Sequence, residues 1–355
     1  MHGTRRTILK GLAAGALALP ALRRGRAAPA PEPQSPALVI VYLNGGPAGL
    51  FNSADSFLAK GDFGVTHDNV RPVGNGLVVD AASWGSLPPE ALAHMASVNF
   101  RHGIERHDLA RAALLQTGDR SNLLLLAQAF PGPAPIRCAV VNSLGLPVGA
   151  DPSPPAEGGI TLARVLELNG IGVVEAEGRT GARRPRLRAQ IDAAYGIEPG
   201  ADAIGDARTS FAAAELLLHA GTNVVFTQPL FVGRPDRQID THRDLTGAQA
   251  REIMATIMGP LRTFVARALA LPRRNVTIAL FGEFSRTTDE SDHQPGGTAT
   301  VIGKGVKTGT AGPQTPTGAP PPNSPPPAGL WSYLAAVSGL ADHPFGRNPS
   351  PELVA

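Results

Sequence analysis

Ala37-Leu38-Val39-Ile40-Val41-Tyr42-Leu43, followed at once by Asn44-Gly45-Gly46-Pro47-Ala48-Gly49, is the stretch that decides the fold. An unbroken apolar run rich in β-branched and aromatic side chains offers no polar face to water, so it fits a strand covered on both sides. Runs of the same kind recur at Leu123–Gln128, Ile136–Asn142, Asn223–Gln228 and Val276–Phe281, each bounded by Gly, Pro or Asn. Between them, helical spacing predicts helices over Gly159–Asn169, Arg186–Tyr195, Asp206–Ala220 and Thr246–Leu271. The last carries Ile253, Ile257, Leu261, Phe264, Ala268 and Leu269 on one face, with Pro260 expected to kink it. Strands alternating with helices predict an α/β fold, a mostly parallel sheet with helices on both faces.

Such a sheet binds ligands beyond the carboxyl ends of its strands, so the residues after each apolar run are where chemistry is sought. Asn223–Gln228 leads on to Asp240-Thr241-His242, and Val276–Phe281 gives way to Gly282-Glu283-Phe284-Ser285-Arg286, with Asp292-His293 in the same loop. Asp240, His242, Glu283, Asp292 and His293 thus offer three carboxylates and two imidazoles at one rim. Oxygen and imidazole donors together suit zinc or manganese. In an extended Asp-x-His segment both side chains point to one side, so Asp240 and His242 can reach the same ion. Taken singly, each pair also reads as ordinary structure: Asp240 and His242 as a turn before a helix, Asp292-His293 as a solvated loop. His102 and His107, with Asp108, are candidates to line the same pocket, or else a polar helix start.

Cys138 is the only cysteine, which excludes an intramolecular disulfide and thiolate metal sites. No nucleotide cofactor is expected, because Gly170-Ile171-Gly172 lacks the third glycine of a dinucleotide fingerprint and no Walker loop occurs. Asn142-Ser143-Leu144-Gly145 lacks the leading glycine of a nucleophile elbow. Gly145–Gly158 and Ala311–Gly329 read as linkers; eight prolines between Pro313 and Pro327 argue against a helix or inner strand there.

The amino-terminal segment has its own logic. Thr4-Arg5-Arg6-Thr7-Ile8-Leu9-Lys10 runs into the weakly apolar Gly11–Leu22, and Arg23, Arg24 and Arg26 precede the small pair Ala27-Ala28. This reads as a twin-arginine export signal over residues 1–30, with a proline-rich tether at 31–36 and one domain over 37–355. The apolar run is too short to span a bilayer as a stable helix, and no transmembrane helix is expected in the mature chain. Residues 1–27 carry six basic side chains and no acidic one, so the formal charge of +3 becomes −3 once they are removed. The basicity therefore belongs to targeting, and nucleic acid is not an expected partner. The expected location is periplasmic or secreted, with the twin-arginine translocon as partner during export.

The order Leu43-Asn44-Gly45-Gly46-Pro47-Ala48-Gly49, His107-Asp108, Asp240-Thr241-His242, Phe281-Gly282-Glu283-Phe284-Ser285-Arg286, Asp292-His293 and Gly303-Lys304-Gly305-Val306-Lys307-Thr308-Gly309 resembles that of the domain of unknown function 1501 family. These are mostly exported bacterial proteins related to the alkaline phosphatase and sulfatase superfamily, so the resemblance implies an alkaline phosphatase-like fold with its proline-rich insertion at 311–329. It implies metal-dependent hydrolysis of a phosphate or sulfate ester at a degenerate site, an anionic substrate, and metal ligands among Asp240, His242, Glu283, Asp292 and His293. By the same resemblance Arg286 is the oxyanion candidate, or a structural partner of Glu283 or Asp289, and Ser53 a candidate nucleophile that also reads as a helix cap. The chain departs from the family at Ala48, where an aspartate is usual, and at Gln294, where glycine is typical. Asn44 and Asp55 are the nearest replacements for the missing carboxylate. The alternative class is an envelope protein that keeps the fold and binds a partner or polymer without catalysis.

Overall fold

Apolar alternation within β1 (Ser35–Tyr42) splits the core in two: Ala37, Val39 and Val41 pack on one face of the sheet, and Leu38, Ile40 and Tyr42 on the other. The computed structural model describes residues 34–47, 49–132, 134, 136–141, 184–198, 207–229 and 239–355. The export signal, residues 31–33 of the tether, Ala48, Asn142–Gly145, the 145–158 linker, the 159–169 helix and Gly170–Gly172 lie outside the described residues.

The other strands of the central sheet are β2 (Met95–Arg101), β3 (Cys138–Val141), β4 (Val224–Thr227), β5 (Arg274–Phe281), β6 (Gly296–Ile302) and β7 (Gly309–Thr310). Their order is β7-β2-β6-β5-β1-β4-β3. β1 pairs in parallel with both β4 and β5, β4 with β3, and β7 with β2, whereas β6 runs antiparallel to both neighbours. The fold is α/β with a mostly parallel sheet. Because β6 is reversed, its beginning lies at the same rim as the ends of β1, β2, β4 and β5.

Among the described residues, six helices of eight residues or more flank the sheet: α1 (His107–Leu115), α2 (Asn122–Ala129), α3 (Arg184–Tyr195), α4 (Ala207–His219), α5 (Ala248–Leu269) and α6 (Pro327–Val337). Ile191, Phe211, Leu218, Ile257 and Leu261 from α3, α4 and α5 pack with Val39, Val225 and Ile278. Leu114, Leu126 and Trp331 from α1, α2 and α6 pack with Ile40, Phe226 and Phe281. Each fully buried Leu, Ile or Phe contributes about 1.5–3 kcal/mol, so both helix layers are held to the sheet mainly by apolar burial. Pro260 lies inside α5 without ending it.

Two expectations are corrected. Leu123–Gln128 is not a strand but the body of α2. Its side chains are leucine, alanine and glutamine, good helix formers without a β-branched residue, and a short apolar run does not reveal which period it obeys. Nor is Ala311–Gly329 a loose linker. Prolines cannot donate hydrogen bonds but their carbonyls accept: Arg101 N–H donates to the Pro325 carbonyl (2.8 Å), while Asn99 Nδ2 donates to Gly312 (2.7 Å) and Ser56 Oγ to Gln314 (2.6 Å). Pro327 then opens α6, at the one helical position where its missing N–H costs nothing. No helix among the described residues is long and apolar enough to cross a membrane.

Candidate metal centre

The loop after β1 is built to let other chain segments approach closely. Gly45 and Gly46 hold φ of +99° and +78°, a left-handed region that costs other residues energy. A Cβ at Gly45 would also lie 2.8 Å from the Asp240 backbone nitrogen, and one at Gly46 would overlap the Phe284 carbonyl. The Asn44 carbonyl accepts the Ile239 N–H (2.9 Å) and so draws Asp240 to the end of β1. Ser291 Oγ donates to the Thr241 carbonyl, and Arg243 N–H to Glu290 (2.7 Å), which locks the 240–243 loop onto the β5–β6 connection.

Asp240 is the centre of the arrangement. His107 Nε2 lies 3.3 Å from its Oδ2; His242 Nε2 and His293 Nε2 lie 3.2 Å and 3.6 Å from its Oδ1. Each imidazole has its other nitrogen against an oxygen other than those of Asp240. His107 Nδ1 is 2.7 Å from Glu283 Oε1, His293 Nδ1 is 2.9 Å from the Glu105 carbonyl, and His242 Nδ1 is 3.4 Å from Asp292 Oδ1. A carbonyl can only accept, so His293 carries its proton on Nδ1 and turns a bare lone pair toward the Asp240 carboxylate. That Nε2 is buried and has no hydrogen-bond partner. Two electron-rich groups facing one another at this range call for a cation or proton between them. One atom each from His107, Asp240 and His293 fall within 4.8 Å of one another, and likewise from His242, Asp292 and His293. The residues therefore fit a divalent ion.

The electrostatics agree. Burial works against ionising Asp240, but the nearby His107 and His293 and the charge of Arg286 outweigh it and hold the carboxyl well below the usual range. For His107 burial opposes the charged ring, yet the hydrogen bonds to Asp240 and Glu283 raise its pKa to about 9. His102 is lowered, mainly by burial. Its Nε2 sits 2.7 Å from the Glu283 carbonyl while its Nδ1 accepts the Ile104 N–H (3.1 Å), which fixes one neutral tautomer. Phe284 is the dry wall of the site: it stacks on His293 (centroids 4.3 Å apart, 10°) and meets His107 edge-on at 5.0 Å.

Of the residues expected from sequence, the structure brings Asp240, His242, Asp292 and His293 together, and the other three stand elsewhere. Glu283 lies behind His107, fully buried, taking Tyr42, Gly45, His107 and Arg111 as partners. Arg286 has 0 % exposure; its fork is spent on the Gly45, Gly46 and Ser291 carbonyls and on Asp240, so no substrate oxygen can reach it. It steadies Asp240 instead. Ser53 is buried; its N–H donates to Gly49 (2.8 Å), and none of its bonds carries the hydroxyl to the cluster. Asp55 belongs to neither three-residue group among the described residues, whereas the buried Asn44 Oδ1 has no hydrogen-bond partner. His107 is the residue that sequence reasoning undervalued. The available signal was its place just beyond β2, at the same rim as the other histidines.

No protein-family model matches the chain, and no curated protein matches it. Among solved structures it is similar to Ps i-CgsB in complex with k-i-k-neocarrahexaose, at 10% identity and a TM-score of 0.38, covering 89% of this chain and 76% of that one. It is also similar to the zinc complex of the C-terminal periplasmic domain of EcEptC from Escherichia coli, at 8% identity and a TM-score of 0.34, covering 76% and 74%. A third similar structure is phosphonoacetate hydrolase from Sinorhizobium meliloti 1021 with phosphonoformate, at 11% identity and a TM-score of 0.33, covering 72% and 57%. Overlaps this loose carry no weight for the chemistry, which rests on the side chains.

Proposed function

We propose that this chain holds a divalent ion, zinc before manganese, on His107, Asp240 and His293, with His242 and Asp292 beside them, and hydrolyses phosphate or sulfate esters. One observation carries the reading: three imidazoles turn Nε2 toward a single carboxylate while each Nδ1 is engaged by an oxygen of another residue. When bound, the ion would polarise the ester and make a water acidic enough to lose its proton near neutral pH. The chain's own residues supply the rest. Arg286 keeps Asp240 ionised, Phe284 keeps water off the buried side of the imidazoles, and the Gly45-Gly46 turn allows Asp240 to approach.

This reading places the protein with the exported proteins resembling the domain of unknown function 1501 family and the alkaline phosphatase and sulfatase superfamily. It includes the twin-arginine signal over 1–30, the tether at 31–36, the single domain from 37 to 355, and a periplasmic or secreted location.

A second reading, an ion-holding envelope protein without catalysis that binds a partner or polymer, is favoured by the burial of both Arg286 and Ser53, the two residues expected to handle substrate. Elemental analysis of the chain purified without chelators, beside an Asp240→Ala/His293→Ala double variant, tests the shared premise. One or two equivalents of zinc or manganese, lost in the variant, are expected, and no metal in either would overturn both readings. Turnover of phosphate or sulfate esters by the loaded parent then separates the hydrolase from the binder.

A further inference from the structure

We infer that Glu283 is a positioning residue rather than a ligand: it fixes which nitrogen of His107 faces Asp240, and Tyr42 and Arg111 fix Glu283 in turn. The inference rests on the metal reading above and deepens it.

The carboxylate has no exposure and every direction around it is taken. Tyr42 Oη donates to Oε2 (2.7 Å), Gly45 N–H approaches both oxygens (3.2 Å each), and Arg111 Nε donates to Oε1 (2.9 Å). His107 Nδ1 completes the set at 2.7 Å from Oε1. Both carboxylates only accept, but Glu283 is at 2.7 Å and Asp240 at 3.3 Å, so in the neutral ring the shorter contact places the proton on Nδ1 and leaves Nε2 as the nitrogen presented to Asp240. Without an acceptor there, the proton would be free to sit on Nε2 and block coordination. Carboxylates that orient a ligating histidine in this way typically change metal affinity 10–100-fold when removed.

The geometry also explains why Glu283 holds still. His107 and Arg111 are one turn apart on α1 and converge on the same oxygen. Tyr42 ends β1, Gly45 follows it, and the Glu283 carbonyl meets His102 beyond β2. One residue thus ties α1 to two strand ends, and a carboxylate so fixed cannot swing out to become a ligand itself.

Zinc affinity is measured by titration with zinc chloride, and the His107 tautomer by nitrogen-15 NMR of the zinc-free full chain at a pH above the ring's pKa of about 9, in the parent, Glu283→Gln and Glu283→Leu. Glu283→Leu is expected to lose the Nδ1–H tautomer and 10–100-fold in zinc affinity. Glu283→Gln retains an oxygen able to accept from Nδ1, so it should keep the tautomer and lose less. A folded Glu283→Leu with the parent's tautomer and affinity overturns the inference. If Glu283→Leu does not fold, Tyr42→Phe and Arg111→Gln release the carboxylate instead, and unchanged zinc affinity in both overturns it equally. A parent that binds no zinc sinks the metal reading, while the tautomer still decides the role of Glu283.

Discussion

Glu215 on α4 and Glu283 after β5 are both buried carboxylates held by a tyrosine hydroxyl, an arginine and a histidine. Around Glu215, Tyr195 Oη donates at 3.0 Å, Arg267 donates from Nε (2.8 and 3.0 Å) and Nη2 (2.6 Å), and His219 Nε2 stands 3.6 Å away. Those partners come from the ends of α3, α4 and α5, and among the described residues neither Arg267 nor His219 pairs with a second carboxylate. Around Glu283 the histidine leads onward, because the far nitrogen of His107 faces Asp240 and two more imidazoles. The same kit therefore closes a seam between helices in one place and primes a site in the other. What separates them is the destination of the histidine's second nitrogen, which no count of partners reveals.

The sharpest way to break this comparison is to exchange the losses. Asp240→Ala is expected to abolish zinc binding, a fall of at least about 100-fold given what a lost supporting partner alone costs, while Glu215→Gln keeps the parent's zinc content. Elemental analysis of both variants checks it, and zinc lost from Glu215→Gln would erase the distinction. Next in size, Glu215→Gln should lower the unfolding free energy in urea by roughly 2 kcal/mol, less than the 3–5 kcal/mol of a fully buried pair because Arg267 is partly exposed to solvent. Zinc affinity should not move with it.

The same variant carries a pH signature. Burial raises the Glu215 pKa, but the bonds from His219 and Arg267 and the charge of Arg267 lower it from 4.5 to about 2. A depressed carboxyl stabilises the fold above its unfolded pKa and gives that stability up as pH falls through the folded one. The stability gap between parent and Glu215→Gln should thus be constant above about pH 5 and close between pH 4.5 and 2. A gap unchanged at pH 2 would contradict the ionised seam. The smallest effect is expected at Asp292→Asn, where Asp292 and His242 are 56% and 47% exposed and water can replace what is lost. Zinc affinity there should fall by less than about 10-fold.

Legibility in the sequence followed the same division between groups that act alone and groups that act through others. β1, β4 and β5 announced themselves because both of their faces are apolar. β2 and β6 did not, since Ser97 and Asn99 oppose Thr300 and Thr298 across a buried but polar strip. Hydrophobic runs cannot flag strands of that kind. At the rim, Asp240, His242, Asp292 and His293 could be singled out because they follow or precede strands at one edge. The roles of Glu283 and Arg286 depend on which neighbours consume their hydrogen bonds, a property of packing that linear spacing does not encode. Ala48 lies outside the described residues.

The reversed strand β6 has a kinetic consequence. Glu283, Arg286, Asp292 and His293 all sit in the single turn-back between β5 and β6, so they can be neighbours as soon as that local hairpin closes. His107 joins Glu283 at a sequence separation of 176, and Asp240 joins Arg286 at one of 46. Contacts of long sequence separation form late, after the loop-closure entropy has been met. The ability to take up an ion would then appear only when the last strands have docked, which makes ion uptake a clock for the completion of folding.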